Sequence, residues 1–428
     1  MNADLPTIFA ISSGAPPAAI GVIRVSGPKA GLALCALTGR DLEPRRASLA
    51  KLRDNSGEVL DEALVLWFPG PKTATGEDLA ELHCHGGRAV LAAVCEALGA
   101  IDGLRPAQEG EFTRRAFANG QIDLAQAEGL ADLLEAETEL QRAAAMRSVS
   151  GAISDKVEGW RERVLQLSAQ IEAALDFSDE DDVSELPPTF VESIDELAAS
   201  IEDWLTRPRS ERLKDGLRIV LAGPPNSGKS TLFNALVESE AAITSPIAGT
   251  TRDVIERSVA IKGVPFVFID TAGLRSDSAD EIEAIGIARA NDEFERADCV
   301  LWLGKEGEGP PDAWEIAARA DCTDFVAKPS ALHSVSATTG AGLTGLKDAL
   351  VAFGRARLPK PGDAALNARQ RDRLNEAYEA LVSAKSQTDF LLIGEDLRSV
   401  RLAFDRLIGR TSTEDMLDAL FGRFCIGK

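Results

Sequence analysis

A short glycine-rich segment carries the clearest chemistry in the sequence. Gly223-Pro-Pro-Asn-Ser-Gly228-Lys229-Ser230 follows the apolar run Leu217–Ala222 and leads into a helix-like stretch that begins at Thr231. A strand, a glycine-rich loop and a helix in this order let main-chain N–H groups and the helix N-terminus surround a phosphate group. Lys229 is placed to reach the β- and γ-phosphates, and Ser230 to ligate Mg²⁺. The segment predicts a nucleoside triphosphate site.

Two further motifs stand at the spacing expected of an enzyme that hydrolyses such a nucleotide. Gly249-Thr250-Thr251-Arg252-Asp253 offers Thr251 as a second Mg²⁺ ligand, and Phe266-Val-Phe-Ile-Asp270-Thr271-Ala272-Gly273 is a strand that ends in D-x-x-G. Asp270 would hold Mg²⁺ through water, and the N–H group of Gly273 would sense the γ-phosphate. Leu274 follows and cannot orient a water, so hydrolysis needs another polar group and another positive charge.

Recognition of the base is encoded less clearly. Guanine is normally held by N-K-x-D. The best candidate follows a predicted strand that ends at Phe325-Val326 and is Ala327-Lys328-Pro329-Ser330, in which Ser330 replaces the carboxylate. Lys328 would pack over the ring, and Ser336-Ala337 matches the main-chain element that supports guanine O6. We expect a weakened preference for guanine, because the loss of one charge-assisted contact costs about 1.5–3 kcal/mol.

Composition changes along the chain suggest the elements that must position these residues. Residues 1–118 mix short β-like runs with turns, 119–213 read as helices poor in glycine, 214–354 alternate strands with helices, and 355–428 are helical again. Because helical segments stand on both sides of the α/β block, we predict an α/β P-loop domain inserted into an all-α helical domain, preceded by an α+β domain.

Charge and cysteine content restrict the partners. The net charge of −22 opposes binding to a phosphate backbone in general, so RNA would need a local basic patch or a partner protein. The six cysteines form no C-x-x-C pair, the N-terminus lacks the basic start of a signal peptide, and no apolar run is long enough to span a bilayer. These features predict a cytoplasmic protein without a membrane partner.

Two segments that contain cysteine could form a metal site or supply a nucleophile. His83-Cys84-His85 suggests a metal site, but alternate side chains of a strand point to opposite faces, which favours a structural role. Cys425 is either a packed, idle thiol or a nucleophile whose thiolate is favoured by Lys428.

Segments spread over nearly the whole chain resemble the MnmE (TrmE) family, GTPases that modify the wobble uridine of tRNA. The segments that carry the resemblance, besides the nucleotide motifs, are Val22-Ile-Arg-Val-Ser-Gly27, Thr75-Gly-Glu-Asp78, Glu81-Leu-His-Cys-His-Gly-Gly87, Gly110-Glu-Phe-Thr-Arg-Arg-Ala-Phe117, Asp123-Leu-Ala-Gln-Ala-Glu128 and the terminal Phe424-Cys-Ile-Gly-Lys428. The resemblance implies that residues 1–118 form a domain that dimerises and binds a tetrahydrofolate derivative, either the 5-formyl or the methylene form. It also implies folate contacts from Arg24, Glu81, Lys428 and the position of Gln121, where the family has lysine.

The resemblance also suggests which groups orient the water and supply the positive charge, since Leu274 stands where related GTPases have a glutamine. It implies that a potassium ion supplies the positive charge, held by Asn226, Thr250 and the main-chain carbonyls of Ser245 and Ile247. It implies that Glu283, or its nearest competitor Glu281, orients the attacking water, and that Glu283 and Cys425 are the catalytic residues. The full set of expected nucleotide-binding residues is Asn226, Ser227, Gly228, Lys229, Ser230, Thr231, Thr250, Thr251, Asp270, Thr271, Ala272, Gly273, Lys328, Ser336 and Ala337.

The leading hypothesis is an enzyme of tRNA modification. A homodimer would join an FAD-containing partner of the MnmG (GidA) type in a heterotetramer and install an aminomethyl or carboxymethylaminomethyl group at C5 of the wobble uridine. The flavin is assigned to the partner, because no G-x-G-x-x-G follows a strand here. The alternatives are a regulatory GTPase switch without base chemistry, as in ribosome assembly, and a folate-binding scaffold with weakened nucleotide specificity.

Overall fold

The computed structural model describes residues 5–176, 186–187, 189–238, 241–242, 255–270, 293–323, 325–360, 363–411 and 414–427. Two compact units divide the chain. Segments 1–131, 154–158 and 402–428 belong to unit 1, and segments 132–153 and 159–401 belong to unit 2.

Unit 1 is built on a six-stranded sheet with the order β3-β4-β5-β2-β1-β6. All its pairs are antiparallel except β1 with β6. Buried residues on one face, such as Ile23, Val65 and Leu82, pack against Leu34 and Leu91 of two helices. The strands are β1 (Thr7–Ile11), β2 (Ile20–Ser26), β3 (Ser48–Arg53), β4 (Val59–Phe68), β5 (Leu79–His85) and β6 (Leu104–Pro106).

The opposite face of the sheet is only partly covered. Phe112 packs on Ile8 and Ala10 there, whereas Leu49 and Leu64 are 61% and 41% exposed. The first four helices in the chain are α1 (Ala30–Thr38), α2 (Arg88–Gly99), α3 (Glu111–Ala118) and α4 (Leu124–Glu135).

A buried ionic network fixes α3 to the loop before β5. Arg115, whose side chain is 6% exposed, donates to Glu77 at 3.0 Å and to Glu111 at 2.9 Å. Glu77 also accepts from Ser26 at 2.8 Å, and Arg105 pairs with Glu111 at 2.6 Å. These bonds join β2, β6, α3 and the Thr75-Gly-Glu-Asp78 segment.

Unit 2 contains a seven-stranded sheet with the order β13-β12-β11-β7-β10-β9-β8. Strands β13, β12, β11, β7 and β10 are parallel, whereas β9 is antiparallel to β10 and to β8. The central strands are buried apolar runs, as expected for a parallel sheet covered on both faces. The strands are β7 (Leu217–Ala222), β8 (Ala241–Ala242), β9 (Ile255–Ile261), β10 (Val264–Asp270), β11 (Cys299–Trp302), β12 (Trp314–Ala317) and β13 (His333–Ser334).

In unit 2, helices that precede the sheet in the sequence pack against each other and against helices that follow it. Trp160 donates its indole N–H to Ser200 at 3.0 Å and stacks edge-on against Trp204. Lys385 pairs with Asp195 at 2.6 Å, although 190 residues separate them. The remaining helices are α5 (Glu139–Val149), α6 (Ala152–Asp176), α7 (Thr189–Thr206), α8 (Ser210–Asp215), α9 (Lys229–Glu238), α10 (Leu343–Arg357), α11 (Ala368–Ser386), α12 (Phe390–Ile408) and α13 (Glu414–Phe421).

This architecture confirms the predicted fold class, since an α/β domain is inserted between two helical stretches and an α+β domain precedes them. The exact boundaries at residues 118, 213 and 354 stay predictions. In the described part of the chain, no helix is long and apolar enough to cross a membrane.

Candidate functional site

The glycine-rich loop leaves the buried strand β7 in a conformation that its sequence favours. Gly223 and Gly228 have φ angles of 149° and 96°, which L-residues rarely adopt, and Asn226 has a φ of 60°. Asparagine is one of the few other residues that tolerate this left-handed region. The loop therefore turns tightly into α9.

Lys229 is held against this loop. Lys229 is only 6% exposed. Its Nζ donates to the main-chain oxygens of Gly223 at 3.0 Å and Pro224 at 2.9 Å. A buried ammonium group needs such acceptors. Phosphate oxygens can replace the carbonyls as acceptors, which fits the predicted contact with the β- and γ-phosphates.

The two predicted Mg²⁺ ligands within the described residues lie together. The hydroxyl of Ser230 donates to Asp270 Oδ2 at 2.7 Å, and Asp270, at the end of β10, is 1% exposed. Hydroxyl and carboxylate oxygens are the hard donors that Mg²⁺ prefers, and this metal usually keeps several waters. The pair fits a magnesium ion bound by Ser230 directly and by Asp270 through water.

A cavity of about 360 Å³ adjoins the loop at the carboxyl ends of the parallel strands, where open α/β sheets bind ligands. Its walls come from three segments, namely the loop with α9, the residues after β12, and the residues after β13. The lining residues are Asn226, Gly228, Thr231, Leu232, Ala318, Arg319, Asp321, Cys322, Val335, Ala337 and Thr338. The predicted residue Ala337 thus lies beside the phosphate loop, and Ser336, its buried neighbour, contacts the lining residue Asp321.

Lys328 and Ser330 have other partners. The Lys328 ammonium, whose side chain is 9% exposed, donates to Glu315 at 3.0 Å and to the Trp302 carbonyl at 3.2 Å. The N–H group of Ser330 donates to Glu306 at 2.8 Å. Neither residue is among those that line the cavity, and the role of Lys328 over the base stays a prediction.

Asp321 was not predicted from the sequence as a candidate site residue. Strand β12 ends at Ala317, and Ala318-Arg319-Ala320-Asp321 follows at once with the spacing of N-K-x-D. The hydroxyl of Ser336 beside Asp321 lowers the pKa of that carboxyl, which therefore stays ionised. Arg319 Cγ lies 3.4 Å from the position that a Cβ at Gly228 would take. Strand β12 has only four residues and was not recognised in the sequence, so the strand end before the base-recognition motif was predicted at Val326.

Two of the predicted folate residues, Arg24 and Glu81, form a cluster on the open face of the sheet in unit 1. Arg24 donates through Nε and Nη2 to Glu81 Oε1 at 3.1 and 2.9 Å, and its guanidinium lies 5.9 Å from the centre of the Phe112 ring. Glu81 Oε2 lies 3.3 Å from Nε2 of His83. The side chains of Arg24 and Glu81 are 27% and 18% exposed, so a cation and a carboxylate are presented together in a half-buried setting that a ligand with both charges would fit.

Gln121 and Cys425 are also described. The amide of Gln121 donates to the Asn119 carbonyl at 3.4 Å, and Cys425 is exposed. The predicted residues Ser245, Ile247, Thr250, Thr251, Thr271, Ala272, Gly273, Glu283 and Lys428, and the competitor Glu281, lie outside the described residues.

The histidines around Cys84 have separate carboxylate partners. His83 contacts Glu81, whereas Nδ1 of His85 lies 2.7 Å from Asp61. Among the residues described, no group of three His, Cys, Asp or Glu side chains could hold a metal ion. Burial raises the pKa of the intervening Cys84 thiol to about 12.

The fold and the loop geometry define a P-loop nucleotide-binding protein. The chain matches the MnmE helical domain over residues 124–425 and the GTP-binding protein TrmE N-terminus over residues 7–121. The chain therefore belongs to the MnmE (TrmE) family of tRNA modification GTPases, which confirms the resemblance found in the sequence.

Individual relatives agree. The tRNA modification GTPase MnmE of Erythrobacter litoralis is 61% identical over 99% of this chain and 100% of its own length, and that of Novosphingobium aromaticivorans is 60% identical over 99% of both chains. Among solved structures, the G domain of the T. maritima FeoB iron transporter covers 32% of this chain and 98% of its own at 24% identity. Its TM-score of 0.24 is too low to bear on fold or function.

Proposed function

We propose that this chain is a potassium-dependent GTP hydrolase that modifies C5 of the tRNA wobble uridine together with an FAD-containing partner of the MnmG type. The observation that supports nucleotide hydrolysis best is the group formed by Lys229, Ser230 and Asp270, in which a buried cation lies beside two oxygen donors suited to Mg²⁺. Mg²⁺, when bound there, would neutralise charge on the β- and γ-phosphates. Such a group argues against a scaffold whose nucleotide site has decayed.

Potassium dependence is tested by the rate of GTP hydrolysis. Asn226 holds its left-handed conformation in the phosphate loop, where its amide oxygen is available to the ion, with Thr250 and the carbonyls of Ser245 and Ile247 as the other ligands. Glu283 would orient the water. Hydrolysis is expected to be much slower in sodium than in potassium buffer at equal ionic strength, and equal rates would overturn this part of the proposal.

We assign base recognition to Asp321 in place of Ser330. A carboxylate in the cavity can accept the two adjacent N–H groups of guanine, and the ionised state of Asp321 suits that role. The expectation of weak guanine selectivity assumed that Ser330 contacts the base. The N–H group of Ser330 instead donates to Glu306. Arg319 would take the place of the usual lysine beside the phosphate loop.

Two matched variants separate these assignments. Asp321→Asn should weaken GTP binding by at least about 10²-fold and improve XTP binding, because an amide donor pairs with the extra carbonyl of xanthine. Ser330→Ala should leave the GTP-to-XTP preference unchanged. A loss of the GTP-to-XTP preference in Ser330→Ala but not in Asp321→Asn would assign base recognition to residues 327–330.

The Arg24–Glu81 cluster is proposed as the tetrahydrofolate site. The guanidinium suits the glutamate tail of the ligand and the carboxylate suits the N–H groups of the pterin. Gln121 is neutral, so it would add hydrogen bonds without charge, and Lys428 would add a cation. A titration with 5-formyl-tetrahydrofolate should show saturable binding that Arg24→Gln weakens and Arg40→Gln, a change at an exposed arginine that donates to the Leu49 carbonyl, does not.

A homodimer is proposed through unit 1. Leu49 and Leu64 are directly opposite each other on β3 and β4, and both are exposed on the face of the sheet that carries His83. An apolar cross-strand pair on an open sheet face favours pairing with a second sheet. Sedimentation should give a dimer for the wild type and a monomer for Leu64→Lys, and an unchanged mass would contradict this surface.

Cys425 is proposed to act in the transfer of the one-carbon unit, because its side chain is exposed and cysteine is an intrinsically strong nucleophile. Deletion of the gene should remove the C5 group from wobble uridine, as measured by mass analysis of tRNA nucleosides. Intact modification in the deletion strain would favour a regulatory GTPase without base chemistry.

A further inference from the structure

Arg218 lies at the start of β7, whereas the phosphate loop follows the other end of that strand. Gly223 comes five residues later, which at about 3.3 Å per strand residue places it about 16 Å away. The side chains of a strand stand roughly perpendicular to the sheet, so an arginine at this position cannot span that distance. Arg218 therefore does not touch a bound nucleotide, and any effect it has on hydrolysis must pass through other residues.

The guanidinium of Arg218 joins two carboxylates from different parts of the chain. Its Nη2 donates to Glu256 of β9 at 3.0 Å and to Glu293 at 2.6 Å. The side chains of Arg218 and Glu293 are 28% and 13% exposed, so their bond is largely shielded from water. The Nε of Arg218 is buried without a hydrogen-bond partner among the described residues. The side chain therefore contacts both carboxylates although one of its donors is left unpaired, which costs free energy.

The main chain of Arg218 holds the other end of the segment that contains Glu293. The Arg218 N–H group donates to Asp298 Oδ2 at 2.9 Å, and the Asp298 N–H group donates to the Arg218 carbonyl at 2.9 Å. Between these two attachments, Phe294 and Ala297 pack on buried residues of β7, β10 and β11. The segment is therefore bound to Arg218 at both ends and to the sheet in its middle.

The two carboxylates follow, in the sequence, the two motifs that are predicted to act on the γ-phosphate. Glu256 comes five residues after Thr251, the predicted second Mg²⁺ ligand. Glu293 comes ten residues after Glu283, the proposed group that orients the water. One guanidinium thus bonds both to the strand that follows the first motif and to the segment that follows the second. These bonds fix the distance between the two points at which the chain returns to the sheet.

We propose that Arg218 is a positioning residue for GTP hydrolysis. By bonding to Glu256 and Glu293 together, it keeps the two segments that follow the predicted catalytic motifs in a fixed relation. This inference rests on the proposed roles of Thr251 and Glu283. A displacement of about 1 Å in a reacting group can cost about 10²-fold in rate. The affinity for GTP depends mainly on the phosphate loop, so Arg218 should affect the rate of hydrolysis much more than binding.

The test uses the full-length protein with Arg218→Met, which keeps an apolar stem but removes the charge, and with Arg218→Lys. Glu256→Gln and Glu293→Gln each remove one carboxylate, alone and in combination with Arg218→Met. Arg257→Met is the matched control, because Arg257 is an exposed arginine of β9 that donates to the main-chain carbonyl of its neighbour at 3.3 Å. Three quantities are measured for each variant, namely kcat for GTP hydrolysis, the Kd for GTP and the thermal unfolding midpoint.

Arg218→Met should lower kcat by about tenfold or more and leave the Kd for GTP within about twofold of the wild type. Each glutamine variant should lower kcat as well, because the loss of either carboxylate breaks the bridge. Neither should lower kcat further when it is added to Arg218→Met, since the interaction is then already absent. Arg218→Lys should recover most of the rate, because an ammonium group has three donors for the two carboxylates. Arg257→Met should match the wild type.

Three results would overturn the inference. An unchanged kcat in Arg218→Met would mean that the bridge does not affect hydrolysis. A parallel loss of kcat, GTP affinity and thermal stability would mean that Arg218 only supports the fold. A full effect from one glutamine variant with none from the other would mean that Arg218 anchors one segment and does not join two. Glu283→Ala, measured alongside, judges the proposed function separately, since hydrolysis at the wild-type rate would reject the role of that carboxylate whatever the Arg218 variants do.

Discussion

The phosphate loop of unit 2 and the proposed folate cluster of unit 1 are assembled in opposite ways. The phosphate loop is one continuous segment, and Lys229 bonds to main-chain oxygens only five and six residues before it. In unit 1, Arg24 and Glu81 come from two neighbouring strands, and Ser12 contacts Gly427 across 415 residues of sequence. Local geometry forms the phosphate loop, and long-range packing forms the cluster in unit 1.

This difference has a physical consequence for how each site fails. A change in the phosphate loop removes a ligand contact and leaves the surrounding sheet intact, because the loop lies at the end of a buried strand. A change in unit 1 alters the position of groups that belong to distant segments. We therefore expect substitutions in the phosphate loop of unit 2 to change ligand affinity. Substitutions in unit 1 should change the rate of tRNA modification and the stability of the fold.

Cys425→Ser should have the largest effect, and it tests whether the sites of the two units act separately. We expect wobble-uridine modification to be abolished while GTP hydrolysis stays near normal, because oxygen is a far weaker nucleophile than a thiolate at neutral pH and the thiol belongs to unit 1. Mass analysis of tRNA nucleosides and a phosphate-release assay measure the two activities. A parallel loss of both would mean that the sites do not act separately.

Lys229→Ala should produce the next largest effect, confined to the nucleotide. The variant loses the buried cation that reaches the phosphates, and kcat/KM for GTP should fall about 10³-fold. Folate binding in unit 1 should be unchanged and serves as the control. Retention of GTP hydrolysis within tenfold of wild type would contradict the assignment of the phosphate loop.

Arg115→Leu tests the stability side of the comparison. The substitution removes the buried cation that Glu77 and Glu111 share, and breaking a buried ion pair by removing one member costs about 3 kcal/mol or more. Urea unfolding followed by hydrogen exchange should show the loss in unit 1. An exposed pair, tested by Arg398→Leu, which removes the bond to Glu395, should cost less than about 1 kcal/mol.

The smallest expected effect is a pH dependence at Glu111. Burial alone would raise the pKa of this carboxyl, but hydrogen bonds from Arg105, Arg115 and the Gln108 N–H group lower it below its ordinary value. A lowered pKa in the folded state adds stability above the ordinary value, and this stability is lost as the pH falls through the folded pKa. The stability difference between wild type and Glu111→Gln should therefore shrink below about pH 4; a constant difference would contradict the ionic role.

The two regions also differ in how far the sequence predicted them. The phosphate loop, the Ser230–Asp270 pair and the fold class followed from local patterns, because strand, glycine and helix signals are short-range. Asp321 was missed for a related reason. Strand β12 has four residues and no strong alternation, so its end was placed nine residues too late, at Val326 instead of Ala317.

In unit 1 the residues Arg24 and Glu81 were identified only through family resemblance. Nothing in their spacing shows that β2 and β5 are neighbours in the sheet, since register depends on the packed core and not on the strand itself. The contact of Ser12 with Gly427 was not predictable for the same reason. The residues that the structure does not describe, among them Glu283 and Thr251, stay predictions.

The internal bonds of the phosphate loop bear on how the chain folds around it. Lys229 donates to two carbonyls and Ser230 donates to Asp270, so the buried cation and the buried carboxylate both have oxygen or hydroxyl partners within the chain. Burial of a polar group costs free energy unless it is hydrogen-bonded. The chain's own atoms therefore offset that cost, and the loop can be packed tightly between the buried strand β7 and helix α9.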